Sequence, residues 1–268
     1  MVDILVRRAS LFERFFPQVH DGAELVHERE FNPEGLSETE RRQESLSEMS
    51  VSQQIAIAVA LRGLGHEVEP LGAEVARVLR DAPAEGKLQV GDVIVGAKGE
   101  EVRTPEDLFE VMRGHRPGTP VRFEVRRDGG EQTVVVGTRA TGSGDERRAV
   151  VGIIVQPEFR FPVDVRIDAG NIGGPSAGLA FGLDIVDELG EDLDRGRRVV
   201  VTGTLGLDGR VGPIGGIEQK TLGARLVDAD VFLVPDANAE AARRRADGDL
   251  EVVAVSTFQE ALSVLTKR

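Results

Sequence analysis

Apolar and polar positions alternate through Glu74-Val75-Ala76-Arg77-Val78-Leu79, the period-two pattern of a half-buried strand. Asp81-Ala82-Pro83-Ala84-Glu85-Gly86 breaks the pattern, and Leu88-Gln89-Val90-Gly91-Asp92-Val93-Ile94-Val95 resumes it. Thr104-Pro105-Glu106-Asp107 then opens a helix through Met112, with proline and acids in the first turn, where free N–H groups favour them. Val121 to Arg127 and Gln132 to Val136 predict a hairpin about Asp128-Gly129-Gly130. Upstream, Ser37-Glu38-Thr39-Glu40 is a capping box that predicts a helix to Leu61, stopped by Arg62-Gly63-Leu64-Gly65. Asp3 to Arg7 reads as a strand and Leu11 to Phe16 as a short helical turn.

The second half changes character. Gly173-Gly174-Pro175-Ser176 leads into the apolar run Ala177 to Val186, a helix entered through residues that allow close backbone approach. Arg198 to Thr204 reads as a strand, Gly215-Gly216 opens a helix to Val227, and Val231 to Pro235 reads as a second strand. Two chemically interesting residues sit at the glycine-framed helix starts, Ser176 and Lys220. Each has a plain alternative when taken alone: serine often caps helices, and a helical lysine usually faces water. Together they form a candidate nucleophile and base, because a serine hydroxyl needs a neighbour to take its proton. Histidine is the common neighbour, yet the four histidines, His20, His27, His66 and His115, all precede the serine.

Lysine as a base must be neutral. At an ordinary pKa of about 10.4, roughly one amine in 2,500 is neutral at pH 7, and a three-unit depression takes about 4 kcal/mol. Burial among apolar neighbours supplies that, and Ile217, Leu222 and Leu226 are the candidates on the same helix. Thr202 or Thr204 could orient the amine.

Composition narrows the remaining classes. A formal charge of −13 over 268 residues argues against nucleic-acid binding, which calls for positive patches. The absence of cysteine excludes disulfides and thiolate metal sites, and the histidines lack metal-ligand spacing, so no metal or other cofactor is expected. No Gly-x-x-x-x-Gly-Lys-Ser/Thr loop occurs, so no nucleotide partner is expected. Gly216-Ile217-Glu218-Gln219-Lys220-Thr221 lacks the glycine before its lysine.

From about Val150 to Leu265 the chain resembles the proteolytic domain of Lon proteases. The likeness rests on Gly174-Pro175-Ser176-Ala177-Gly178, Val201-Thr202-Gly203, Gly209-Arg210-Val211, Pro213-Ile214-Gly215-Gly216-Ile217, Lys220 and Val231-Phe232-Leu233-Val234-Pro235. It implies that Ser176 is the nucleophile and Lys220 its base, with Thr202, Gly174 and Ala177 supporting the pair. Gly173 stands where many Lon proteins have an acidic residue, and Thr204 where the family has glutamate.

Residues 66–138, with Asp81-Ala82-Pro83-Ala84, Leu88-Gln89-Val90-Gly91-Asp92-Val93-Ile94 and Thr104-Pro105-Glu106-Asp107-Leu108 in order, resemble PDZ domains of bacterial HtrA proteases. Such domains take an extended peptide end beside a strand and a helix. The groove is expected along Ala73, Val75, Leu108 and Met112, with backbone around Leu71-Gly72 for a terminal carboxylate; the alternative is a spacer or an interface with the protease. Residues 62–65 are an alternative carboxylate loop.

The fold class expected is α/β (α+β), a Lon-type proteolytic domain with a PDZ domain built as a partly open β-barrel capped by helices. The expected divisions are an N-terminal segment at 1–65 that could pack on the peptidase, PDZ at 66–140, a Gly/Ser-rich linker at 141–147, and the proteolytic domain at 148–268. The joint order resembles membrane-anchored, extracytoplasmic PDZ–Lon proteases of Gram-positive bacteria. It implies an ATP-independent endopeptidase acting on unfolded or exposed protein segments, and a homo-oligomer, commonly of six subunits. No apolar run near 18 residues occurs here, so the anchor is expected to be absent from this chain, the alternative being a soluble cytoplasmic member. The competing functional reading is a peptide-binding scaffold with an inactive peptidase domain.

Overall fold

The structure is a computed structural model describing residue 32 and residues 37–142, 147–170, 172–190, 192–246, 248 and 250–267. The strand and helical turn expected within residues 3–16 lie outside the described residues. Helix α1 (Glu38–Gly63) opens on the expected capping box: Ser37 accepts from the Glu40 amide, and the Glu40 side chain reciprocates. Such a cap contributes about 1 kcal/mol. The last turns of α1 bury Ala56 through Leu61, a run of small and apolar residues.

The chain then enters an antiparallel sheet. Strands β1 (Glu69–Val78), β2 (Val93–Ala97) and β3 (Glu100–Glu101) precede helix α2 (Pro105–Met112), whose Thr104 and Asp107 form a second capping box. Strands β4 (Val121–Arg127) and β5 (Gly130–Val136) form the expected hairpin, with Asp128 and Gly129 both at positive φ in its turn. The ribbon of β6 (Arg139–Thr141) and β7 (Arg148–Val150) follows, then β8 (Ile153–Arg160). The strand order is β5-β4-β2-β1-β8, with β3 on β2. The core beneath contains Phe123, Ile94, Val75, Leu108 and Leu88, among others. Leu88 lies in a turn before β2, where Asp92 accepts from the Gln89 amide, so that strand is shorter than the sequence suggested.

The remaining elements are a 3-10 turn (Pro175–Ala177), helix α3 (Gly178–Glu188), strand β9 (Val199–Val201), the ribbon of β10 (Thr204–Leu205) and β11 (Val211–Gly212), helix α4 (Ile217–Leu226), strand β12 (Val231–Pro235), helix α5 (Asp236–Ala246), strand β13 (Glu251–Val255) and helix α6 (Phe258–Thr266). Strands β13-β12-β9 form a parallel sheet. All five residues of β12 are buried, as a strand covered on both faces requires. Phe232 and Leu233 are fully buried, which contributes about 1.5–3 kcal/mol each.

Among the described residues the contacts define two compact units, one joining the segment up to His66 with Val165 onward, the other Glu67–Asp164. The second unit therefore runs past the expected PDZ end at 140 and past the linker at 141–147. The physical reason is strand pairing: β6 and β7 flank that stretch, and β8 then lies along β1 from Glu69–Arg160 to Val78–Ile153. The first unit is built from two separated stretches of sequence, with α1 packed on α3 and on the 3-10 turn. The fold is mixed α/β as expected, the six-stranded sheet being an open path among the described residues.

Candidate active site

Ser176 lies in the 3-10 turn just ahead of α3, not within it. Gly174 enters that turn at φ +84, where a side chain would strain the backbone, and the Gly178 amide donates to the Pro175 carbonyl to close it. The first residue of α3 must also be small: a Cβ at Gly178 would stand 2.8 Å from Ser52 Oγ and 3.2 Å from the Leu205 backbone. Ala177 is buried beneath the turn. The helix is not capped by a serine side chain, which leaves the Ser176 hydroxyl for another partner.

That partner is Lys220. Its Nζ donates to Ser176 Oγ at 2.8 Å and to Thr202 Oγ1 at 3.3 Å. The lysine sits in the first turn of α4, after Gly215-Gly216, and its amide donates to the Gly216 carbonyl. The loop before it is pinned from α5: Asn238 Oδ1 accepts from the Ile214 amide at 2.9 Å, and Asn238 Nδ2 donates to the Ile214 carbonyl at 3.0 Å.

Lys220 is 4% exposed and Thr202 1%, whereas Ser176 is half-buried. A buried amine beside an accessible hydroxyl is the arrangement that favours an uncharged base. Of the two candidate threonines, Thr202 meets the amine; it also donates to the Ser176 carbonyl at 3.2 Å, and the Gly203 amide reaches that carbonyl at 2.9 Å. The expected apolar surroundings need one correction. Ile217 is buried and Leu222 half-buried, but Leu226, the last residue of α4 and about 120° around it from Lys220, is 85% exposed.

The expected PDZ groove needs a larger correction. Strand β1 is paired on both sides at Ala73 and Glu74, by β2 on one side and β8 on the other. Ala73 and Val75 are fully buried in the core with Leu108, Gly72 pairs with Glu158 of β8, and Leu71 falls at the irregularity of that pairing between Pro70 and Gly72. Sequence reading could not see this, since the strand covering β1 follows it by about 80 residues, as the Glu74–Gln156 bond at 2.8 Å illustrates. The terminal strand on this side is β8, and helix α2 approaches it. Ile153, Val155 and Met112, all half-buried, pack on the same core.

Helix α1 was not singled out as part of the site by the sequence. Its Ser45 carbonyl accepts from the Gly174 amide at 2.8 Å, and its buried Ser52 Oγ donates to the Pro175 carbonyl at 3.1 Å. The available signal was two serines, Ser45 and Ser52, seven positions and about two helical turns apart on one face. Among the described residues no group of three or more His, Asp or Glu is placed to hold a metal ion.

The family of PDZ domains matches residues 46–138, and the Lon protease (S16) C-terminal proteolytic domain matches residues 153–268. A probable periplasmic serine endoprotease DegP-like of Pseudomonas fulva is 43% identical over 81 residues, 29% of this chain and 17% of that protein. Lon protease 2 of Bacillus subtilis is 36% identical over 104 residues, 39% of this chain and 18% of that protein. Lon protease 1 of Myxococcus xanthus is 32% identical over 163 residues, 58% and 19% respectively. The chain spans under a fifth of the length of each of these relatives.

The chain thus combines a PDZ domain with a Lon-type serine peptidase domain. The two are interleaved. The PDZ match begins inside α1, which packs in the other unit, and the Lon match begins with β8, which completes the PDZ sheet. Among the described residues no helix is long and apolar enough to cross a membrane.

Proposed function

We propose that this chain is a serine endopeptidase that hydrolyses unfolded or exposed polypeptide without nucleotide, through a Ser176–Lys220 dyad. The observation that carries the reading is the 2.8 Å approach of a buried lysine amine to a half-buried serine hydroxyl. In the neutral form, Lys220 Nζ takes the proton as Ser176 Oγ attacks the scissile carbonyl. The tetrahedral adduct collapses to an acyl-enzyme, and Lys220 returns its proton to the leaving amine. Water, deprotonated by the same amine, then releases the acyl group. Thr202 holds the amine toward Ser176. The alternative of an inactive scaffold is less well supported, because nucleophile, base and orienting hydroxyl are all within hydrogen-bond distance.

The PDZ unit is read as a substrate selector. An extended peptide end would add to the outer edge of β8 beside α2, contributing main-chain hydrogen bonds and placing apolar side chains near Ile153, Val155 and Met112. The resemblance and the periplasmic label on the Pseudomonas relative support an extracytoplasmic location; a membrane anchor and assembly into a homo-oligomer are carried by the resemblance alone.

The deciding experiment is casein digestion without nucleotide, comparing the unmodified chain with Ser176→Ala. Digestion by the first and none by the second is expected; equal rates, or none in either, would overturn the reading.

A further inference from the structure

Three peptide units around the nucleophile, 173–174, 175–176 and 176–177, are each held by a named bond. The Ser176 carbonyl is held from within the proteolytic match, by the Gly203 amide and Thr202. The other two holds come from α1, which lies outside that match: the Ser45 carbonyl takes the Gly174 amide, and Ser52 Oγ donates to the Pro175 carbonyl.

We propose that Ser52 is a positioning residue for catalysis, fixing the peptide plane between Pro175 and Ser176 so that the Ser176 N–H meets the oxyanion. This rests on the reading of Ser176 as nucleophile. A peptide unit is planar and trans, so a carbonyl held on one side fixes the direction of the N–H on the other. An oxyanion formed on a carbon bonded to Ser176 Oγ lies within reach of that residue's own amide, where a pre-aimed donor stabilises the transition state.

Several features suit Ser52 to this work. The side chain is 4% exposed, so its hydroxyl is not competing with solvent. The Pro175 carbonyl has a second donor in the Gly178 amide, so the plane is held by two bonds meeting at one oxygen. Pro175 is itself exposed and offers no N–H, so its carbonyl is the one main-chain group of that residue that can be held. The absence of a side chain at position 178 gives Ser52 the room to reach it. A segment separated from the turn by an entire PDZ unit in sequence is thereby part of the catalytic apparatus.

The test uses Ser52→Ala and Ser52→Cys in the full chain, with a fluorogenic peptide substrate and a peptide boronic acid that forms a tetrahedral adduct on a serine nucleophile. Loss of one oxyanion donor costs about 100- to 1,000-fold in kcat, so a donor left in place but loosened should cost on the order of 10- to 100-fold. We expect kcat to fall by that factor in Ser52→Ala, KM to stay within about twofold, and the boronate inhibition constant to weaken in step with kcat. A purely structural role would lower the melting temperature without that correlated loss. Unchanged kcat and boronate affinity in folded Ser52→Ala would overturn the proposal, as would an effect confined to KM. Should the alanine variant fail to fold, Ser52→Cys decides, because its thiol fills the space but donates weakly: full kcat in that variant overturns the proposal. If the unmodified chain is inert, or Ser176→Ala cleaves at the same rate, the nucleophile reading falls and takes this one with it. If only the Ser52 variants retain full rate, this proposal alone fails.

Discussion

Thr202 Oγ1 donates to the main-chain carbonyl of Ser176 at 3.2 Å while receiving Lys220 Nζ at 3.3 Å, so one buried hydroxyl ties the nucleophile's backbone to the base. Replacing it by the isosteric valine removes both bonds with little change in volume. A lost hydrogen bond at a buried site costs about 1–3 kcal/mol, so Thr202→Val should lower kcat roughly 5- to 150-fold and leave KM nearly unchanged. Steady-state kinetics on a short peptide checks this; an unaltered kcat would remove Thr202 from the mechanism.

The dyad should behave as one unit. Ser176→Ala and Lys220→Ala are each expected to reduce hydrolysis at least about a thousandfold, and the double variant to be no slower than either single one. Circular dichroism and melting curves establish that the variants are folded. A double variant slower than both by the product of their effects would mean the two groups act independently.

The same dyad sets the pH dependence. Its base works only when neutral, and burial disfavours the charged amine, so activity should rise with pH and level off well below the ordinary lysine value of about 10.4. The profile of kcat/KM on a peptide without ionisable groups measures it. A rise that follows ordinary lysine ionisation without levelling off would count against a tuned Lys220.

The PDZ unit should carry its own acid sensitivity. Asp92 is buried and would be pushed up by desolvation, but Arg127, at 2.6 Å from both carboxylate oxygens, and the Gln89 amide hold it below the usual carboxylate range. A carboxyl depressed in the folded state adds stability above its unfolded pKa of about 3.9 and loses it as pH falls through the folded value. Asp92→Asn should therefore destabilise the unit by about 2 kcal/mol at neutral pH and flatten its stability profile below about pH 4. Melting temperatures between pH 2.5 and 7 test both; a variant with the same acid slope as the unmodified protein would refute the assignment.

Peptide capture at the β8 edge gives a further expectation. Leu108, almost fully buried, is unsuitable for probing a groove because a charge there unfolds the core. Met112 is half-buried on the same helix, so Met112→Glu should weaken binding of a labelled apolar C-terminal peptide about tenfold or more, as desolvating an unpaired charge is costly. Fluorescence anisotropy measures the affinity. Unchanged binding would move the groove elsewhere.

Much of this protein was legible along the chain because its signals are local. The capping boxes at Ser37 and Thr104, the positive-φ turn at Asp128-Gly129 and the fully apolar Val231–Pro235 depend on residues within a few positions of one another. The pairing of Ser176 with Lys220 was legible for another reason: the histidines lie upstream, and both residues stand in glycine frames that resemble a known family. What only the tertiary structure decided are relationships between distant segments. Leu226 was expected beside the lysine, yet the rotation of α4 turns it to solvent. Strand β1 was expected to line a peptide groove, but its second partner is β8, beyond the whole hairpin. Ser52 reads as an ordinary polar residue in a helix, and its partner carbonyl lies 123 positions away. Local propensity and capping act through the chain's own neighbours, whereas strand partners and buried hydrogen bonds are chosen by which surfaces fold together.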